Sequence, residues 1–343
     1  MENTLPAIQL GQKVLTGGRL TMEESLVLAA MPDNDLPLLL AIADKIRQTF
    51  VGNAVDLCSI INGRSGMCSE NCAFCAQSTY HKAEIQVYPL MSEDAIIAAA
   101  KEAEAGGALR FAIVTSGRGM EQDREFPQIL NALRRIKKET CLRVCCSLGT
   151  LSLENALAIK EAGVSRYHHN LETCRSYYSA ICTTHSYDDR VKTIKAAKEA
   201  GLEICAGGII GLGESMKQRL QMAFELRELQ VDSVPLNILN PIKGTGLANQ
   251  PPLPPMEILK TFALFRFILP DRGLRTAGGR EVNLRDLQAM ALKSGINGMM
   301  IGGYLTTGGR DCDKDLQMIR DLGLQPLSAC EVNPHVYPDT LDN

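Results

Sequence analysis

One phrase, repeated along the chain, limits the fold more than any other feature. A helical run ends in a small residue and glycine, and a short β-branched or apolar run comes next. Glu104-Ala105-Gly106 precedes Arg110-Phe111-Ala112-Ile113-Val114, and Glu161-Ala162-Gly163 precedes Arg166. Glu199-Ala200-Gly201 precedes Glu203, and Lys293-Ser294-Gly295 precedes Gly298. Glycine is favoured just past a helix because the chain turns left-handed there. Helix, glycine stop and strand in alternation predict a parallel sheet covered by helices. Strands are expected at 57–62, 110–114, 143–147, 166–170, 203–207, 233–238, 274–277 and 298–301. Helices are expected at 92–105, 124–139, 152–162, 187–200, 214–229, 255–268, 284–293 and 312–322. This order predicts an α/β fold of the (β/α)8 TIM-barrel type, with a doubly wound open sheet as runner-up. Helical spacing in the first fifty or so residues makes 1–54 an N-terminal helical extension, 55–324 the barrel and 325–343 a loosely ordered C-terminal tail.

The chain has 343 residues, 45% of them hydrophobic, enough for a large core. A net charge of -3 with no basic run gives no footprint for nucleic acid or a membrane surface. The opening residues resemble neither a secretory signal nor a membrane span, so a cytoplasmic protein is expected. Twelve cysteines in such a chain favour metal or redox chemistry over disulfides.

Three of them fall in one loop after the first strand, Cys68-Ser69-Glu70-Asn71-Cys72-Ala73-Phe74-Cys75. That position is the C-terminal face of the sheet, where barrel active sites are built. Clustered thiolates hold iron–sulfur clusters, and three leave one iron of a four-iron cluster open. A structural zinc site would need a further cysteine or histidine nearby, and the loop offers none before His81.

The spacing C-x3-C-x2-C with Phe74 before the third cysteine resembles the signature of radical S-adenosylmethionine (SAM) enzymes. Further blocks resemble biotin synthases: 147–151 (SLGTL), 169–173 (HNLET), 183–190 (TTHSYDDR), 207–214 (GGIIGLGE), 232–237 (DSVPLN) and 278–283 (GGREVN). The resemblance is colinear from about 57 to 324. It implies that Cys68, Cys72 and Cys75 hold a 4Fe–4S cluster whose fourth iron takes SAM. Reductive cleavage of SAM gives a 5′-deoxyadenosyl radical. The radical takes hydrogen from dethiobiotin, and an auxiliary iron–sulfur cluster deeper in the barrel donates sulfur. No protein acid or base can remove an alkane hydrogen, so the chemistry is borne by the cofactors and no catalytic side chain is expected beyond them.

The resemblance also implies roles for single residues. Phe74, Asn170, Glu172, Arg190 and Ile209 would contact SAM, and Asn170 and Asn237 the ribose and the ureido ring of dethiobiotin. From residue type alone Arg190 reads as an exposed helix charge. Glu172 stands where many members have Asp, and His168 where many have Asn. The auxiliary site departs most. Cys145, Cys205 and Arg280 match three of its positions, but Ala112 replaces the remaining cysteine and cannot bind iron. A re-ligated auxiliary cluster of uncertain type is expected, using Cys145 and Cys205 with Cys182, Cys174 or both. Cys146 would point to the opposite face of its strand. A flavodoxin or ferredoxin electron donor and a homodimer are further implications. The alternatives are a related radical enzyme without sulfur insertion, of the methylornithine synthase or hydrogenase maturase kind, or a non-catalytic cluster or zinc protein.

Overall fold

The computed structural model describes residues 5–120, 124–327 and 329. Among the described residues ten strands run in chain order: β1 Ala54–Arg64, β2 Arg110–Thr115, β3 Arg143–Ser147, β4 Arg166–His168, β5 Glu203–Cys205, β6 Gly208–Ile210, β7 Ser233–Ile238, β8 Gly273–Thr276, β9 Gly298–Met300 and β10 Gln325–Leu327. All pair in parallel, and β1 closes the ring on β9 through Asp56↔Gly298 and Cys58↔Met300. The expected barrel is therefore closed, which rules out the open doubly wound sheet.

Among the described residues three α-helices precede the barrel: α1 Pro6–Leu15, α2 Met22–Ala29 and α3 Leu36–Val51. The others are α4 Glu93–Ala105, α5 Phe126–Glu139, α6 Leu153–Glu161, α7 Tyr187–Glu199, α8 Met216–Glu228, α9 Pro255–Ile268, α10 Arg280–Leu284, α11 Gln288–Leu292 and α12 Cys312–Asp321. Their starts are legible in the caps. Thr21, Ser186 and Ser215 each close a reciprocal capping box on α2, α7 and α8. The leading helices pack on α8 and α9, where Arg227 donates to Leu20 O and Lys260 to Met31 O. Among the described residues no single helix is long and apolar enough to cross a membrane.

Three expectations change. The strand expected at 203–207 breaks after Cys205, and β6 pairs with β7 and bridges Glu172 through Gly208. A Cβ at Gly207 would stand 2.0 Å from Pro235 O, and one at Gly208 2.5 Å from Glu172 O. The glycines thus admit neighbouring backbone at the break. The helix expected at 284–293 is interrupted, with Arg285 at φ 51 separating α10 from the turn before α11. The tail expected to be loose begins with β10, paired to the start of β1 through Ala54↔Gln325; most residues past Leu327 lie outside those described.

Strand parity sorts the cysteines. Cys146 is buried in the apolar layer between sheet and helices, as expected. Cys145, one residue earlier on β3, points the other way, into the barrel. Its cross-strand partners are Ala112 and Arg166, while Ile60 pairs Ala112 and Cys58 pairs Arg110.

Candidate active site

A cavity of about 430 Å³ runs from the three-cysteine loop at the mouth of the barrel to thiols on its floor. The loop is braced by its own backbone. Cys68 N donates to Gln77 O at 3.0 Å, Thr79 N to Cys68 O at 2.9 Å and Cys75 N to Cys72 O at 3.0 Å. His81 Nε2 lies 3.0 Å from Cys72 O, so the nearest histidine in sequence serves as a loop brace. Burial pushes the Cys75 thiol up to about 11.

The segment after the fourth barrel strand is clamped onto this loop. Asn71 Oδ1 accepts from Thr183 N at 3.0 Å and Thr184 N at 3.2 Å, and Ala73 N donates to Ile181 O. The clamp sets Cys182 Sγ 3.7 Å from Cys72 Sγ. That bond, with burial, pushes the Cys72 thiol up. The same bond, with help from His185 and Thr184, pulls the Cys182 thiol well below its ordinary value.

The wall presents the residues expected to meet SAM. Arg190 is buried, not exposed: Nε donates to Tyr178 OH at 2.7 Å and Nη1 to Asn170 O at 2.9 Å. Glu172, in the left-handed region at φ 70, lies 3.6 Å from the same guanidinium. Burial raises its carboxyl despite Arg190. Phe74, Asn170, Ile209 and Asn237 also line the cavity. Asn237 Oδ1 accepts from Gly278 N at 2.9 Å and Nδ2 donates to Gly208 O at 3.3 Å. One further donor and one further acceptor of that amide remain for a ligand.

The floor gathers charged groups that sequence reasoning did not assemble. Cys58 and Cys205 line the cavity there with His168 and Arg275, and Cys145 interacts electrostatically with Cys205. Burial pushes the Cys58 thiol up, and takes Cys145 to about 11. Arg110, Arg166 and Arg275 converge on Asp56 at 3.0, 3.7 and 3.2 Å. Glu203 pairs Arg166 at 2.7 Å and Arg110 at 3.6 Å. Three guanidiniums thus face two carboxylates, an excess of positive charge beside the thiols. Burial, reinforced by these three arginines, keeps His168 neutral. Nη1 of Arg110, Arg166 and Arg275 and Nε2 of His168 lack hydrogen-bond partners. Buried cations with spare donors beside thiols suit an anionic cluster, so the floor fits the auxiliary group.

Three expected auxiliary ligands are not on this floor. Arg280 leaves the barrel: its guanidinium is held by Asp315 at 2.7 Å and Gln288 at 2.7 Å. Gly279, at φ 80, breaks the strand parity before it. Arg275, on β8 opposite Pro235, keeps that parity and faces Cys58. Cys182 stands at the mouth against Cys72. Cys174 is buried in the apolar core, its thiol sharing a hydrogen bond with Ser176 at 3.2 Å. The signal that was available is parity: Asp56, Cys58, Arg110, Arg166 and Arg275 are polar residues at inward strand positions.

The Radical SAM superfamily profile matches residues 64–226, and the profile of the Biotin and Thiamin Synthesis associated domain matches residues 235–325. The chain is 55% identical over 319 residues to the biotin synthase of Carboxydothermus hydrogenoformans, covering 93% of this chain and 98% of that one. It is 52% identical over 319 residues to the biotin synthase of Clostridium acetobutylicum, covering 93% and 97%. Among solved structures, methylornithine synthase superposes with a TM-score of 0.82 at 21% identity, covering 94% of this chain and 98% of that one. The FeFe-hydrogenase maturase HydG from Carboxydothermus hydrogenoformans gives 0.79 at 20% identity, covering 93% and 79%. These structural likenesses concern the fold.

Proposed function

The chain belongs to the biotin synthase family of radical SAM enzymes, and from that membership we propose which of its residues carry sulfur insertion into dethiobiotin. The observation that supports the assignment is one cavity joining the cysteine loop to a floor of thiols and ion-paired guanidiniums whose Nη1 atoms keep spare donors. Cys68, Cys72 and Cys75 hold the 4Fe–4S cluster at the mouth. Cys58, Cys145 and Cys205, with Arg275, hold the auxiliary iron–sulfur cluster on the floor. With SAM bound, these groups supply a primary carbon radical and the sulfur that enters the product.

The protein's own part is binding and exclusion of water. Arg190, fixed by Tyr178 and the Asn170 carbonyl, receives the SAM carboxylate as a pre-oriented fork. Phe74 and Ile209 give the adenine apolar faces. Glu172 and Asn170 accept from and donate to the ribose. Asn237 offers its remaining donor and acceptor to the ureido ring, which carries both a carbonyl and N–H groups. Residues 55–324 act as the catalytic barrel and 1–54 as its helical extension. Met67, exposed beside Cys68, supports approach of a flavodoxin or ferredoxin donor at the mouth. A homodimer in a reducing cytoplasm is the reading that the family resemblance and the many thiols support.

Arg190→Gln should raise the KM for SAM by about 10- to 100-fold, the worth of a charge-assisted hydrogen bond. Steady-state methionine release at varied SAM measures it, and an unchanged KM removes Arg190 from the site. The whole reading is tested by anaerobic incubation of reconstituted protein with reductant, SAM and dethiobiotin. Biotin and methionine should both form. Methionine without biotin would return the chain to the mutase or maturase class, and neither product would make it a non-catalytic cluster protein.

A further inference from the structure

The cysteine loop lacks a nearby fourth ligand in sequence, but the fold supplies two from the clamped segment. Cys182 Sγ stands 3.7 Å from Cys72 Sγ. Two thiolates bound to one tetrahedral ion at ~2.3 Å stand about 3.8 Å apart. Ligand atoms of Cys72, Cys182 and His185 all lie within 4.8 Å of one another. His185 Nδ1 lies 3.3 Å from Cys182 Sγ and is hydrogen-bonded to Glu70; with Nδ1 engaged by the carboxylate, Nε2, 3.9 Å from that sulfur, is the nitrogen left to ligate. A carboxylate behind a ligating imidazole is the usual support for a histidine-bound metal. Glu70 is itself fixed by Thr184 Oγ1 at 2.5 Å. The His185 and Glu70 side chains are each only 8% exposed, so the group is enclosed.

We propose that Cys72, Cys182 and His185 form a mononuclear site for a thiophilic divalent ion, zinc or ferrous iron, in the cluster-free chain. Two sulfurs and one imidazole select such ions over magnesium or calcium. Water completes the tetrahedron, and the thiols release their protons to solvent as the ion binds. The site and the 4Fe–4S cluster exclude each other, because both need Cys72. An ion held there must leave, or be built upon, before the mouth cluster forms. Only this exclusion rests on the cluster assignment made above; the ion site stands on geometry alone.

Cobalt(II) is the probe, titrated anaerobically into cluster-free full-length protein. Thiolate-to-cobalt charge-transfer and tetrahedral d–d bands should appear in the wild type. Cys182→Ala, Cys182→Ser, Cys72→Ala and His185→Ala should each take up one equivalent less, with circular dichroism confirming the fold. Glu70→Gln should bind about 10-fold more weakly. Cys68→Ala and Cys75→Ala should match the wild type. Wild-type uptake by both Cys182 variants, or loss of one equivalent in both Cys68→Ala and Cys75→Ala, overturns the site, since the loop alone would then bind the ion. In a second arm, zinc-loaded wild type should gain the brown absorbance of the mouth cluster far more slowly than zinc-loaded Cys182→Ala. Equal rates overturn the exclusion. Biotin formation by protein reconstituted without zinc reads the enzymatic assignment separately.

Discussion

Cys58→Ala protein should keep its mouth cluster, continue to cleave SAM to methionine, and form no biotin above background. The reason is the placement of thiols on the barrel floor. Ala112 offers no ligand, and its partner on β1 is Ile60. Two residues deeper on that strand, with the same inward parity, Cys58 faces Arg275 and interacts with Cys205. Cys58 is thus the inward-facing thiol on the strand beside Ala112, one layer deeper. Iron and sulfide counts after anaerobic reconstitution should fall in Cys58→Ala and Cys205→Ala by the same amount, the auxiliary share. Cys174→Ala should keep that share in full, because its thiol lies in the apolar core. Full auxiliary iron in Cys58→Ala would show that the floor is ligated some other way.

Asp56→Asn should be the most destabilising single change on the floor, costing about 3–5 kcal/mol, the range for breaking a buried ion pair from one side. It would leave Arg110, Arg166 and Arg275 sharing only Glu203, which pairs with Arg166 and Arg110. Burial alone would raise the Asp56 carboxyl; Arg275, Arg110 and Arg166 overcome it and hold the group well below the ordinary carboxylate range. A depressed folded-state pKa adds stability that is fully present above the unfolded value of about 3.9 and is lost as pH falls through the folded value. The midpoint of thermal unfolding should therefore drop sharply in the variant at pH ~7, and the gap to the wild type should narrow as the medium is acidified well below pH ~4. Equal midpoints at neutral pH would mean the three arginines are neutralised without Asp56.

The strand and helix order was legible because helices such as α4, α6, α7 and α11 run into a glycine stop before the next strand. The cysteine loop was legible because its ligands are neighbours in sequence. The floor was not, because its members come one or two per strand and become a group only when the ring closes. Arg280 was the attractive candidate because it sits in a recognisable block. Gly279 turns the chain before it, whereas the less conspicuous Arg275 continues β8 and stays inside. Cys182 and His185 were hidden for another reason: they reach Cys72 through a contact between two loops, which no periodicity announces. Cys182 was therefore expected at depth when its place is at the rim.

The first strand is held on one flank by β2 and on the other by both β9 and β10. Those last two strands are made at the far end of the chain, so β1 keeps an open edge until residues 298–327 emerge from the ribosome. Contacts of such sequence separation form late and slowly. Until then Cys58 and Asp56 face solvent along an unsealed seam, and no enclosed floor exists to retain iron. A group that uses Cys58 would therefore load only after β9 and β10 are made, and a chain truncated before β9 would expose the Cys58 thiol to oxidation and its open strand edge to aggregation with other unfinished chains.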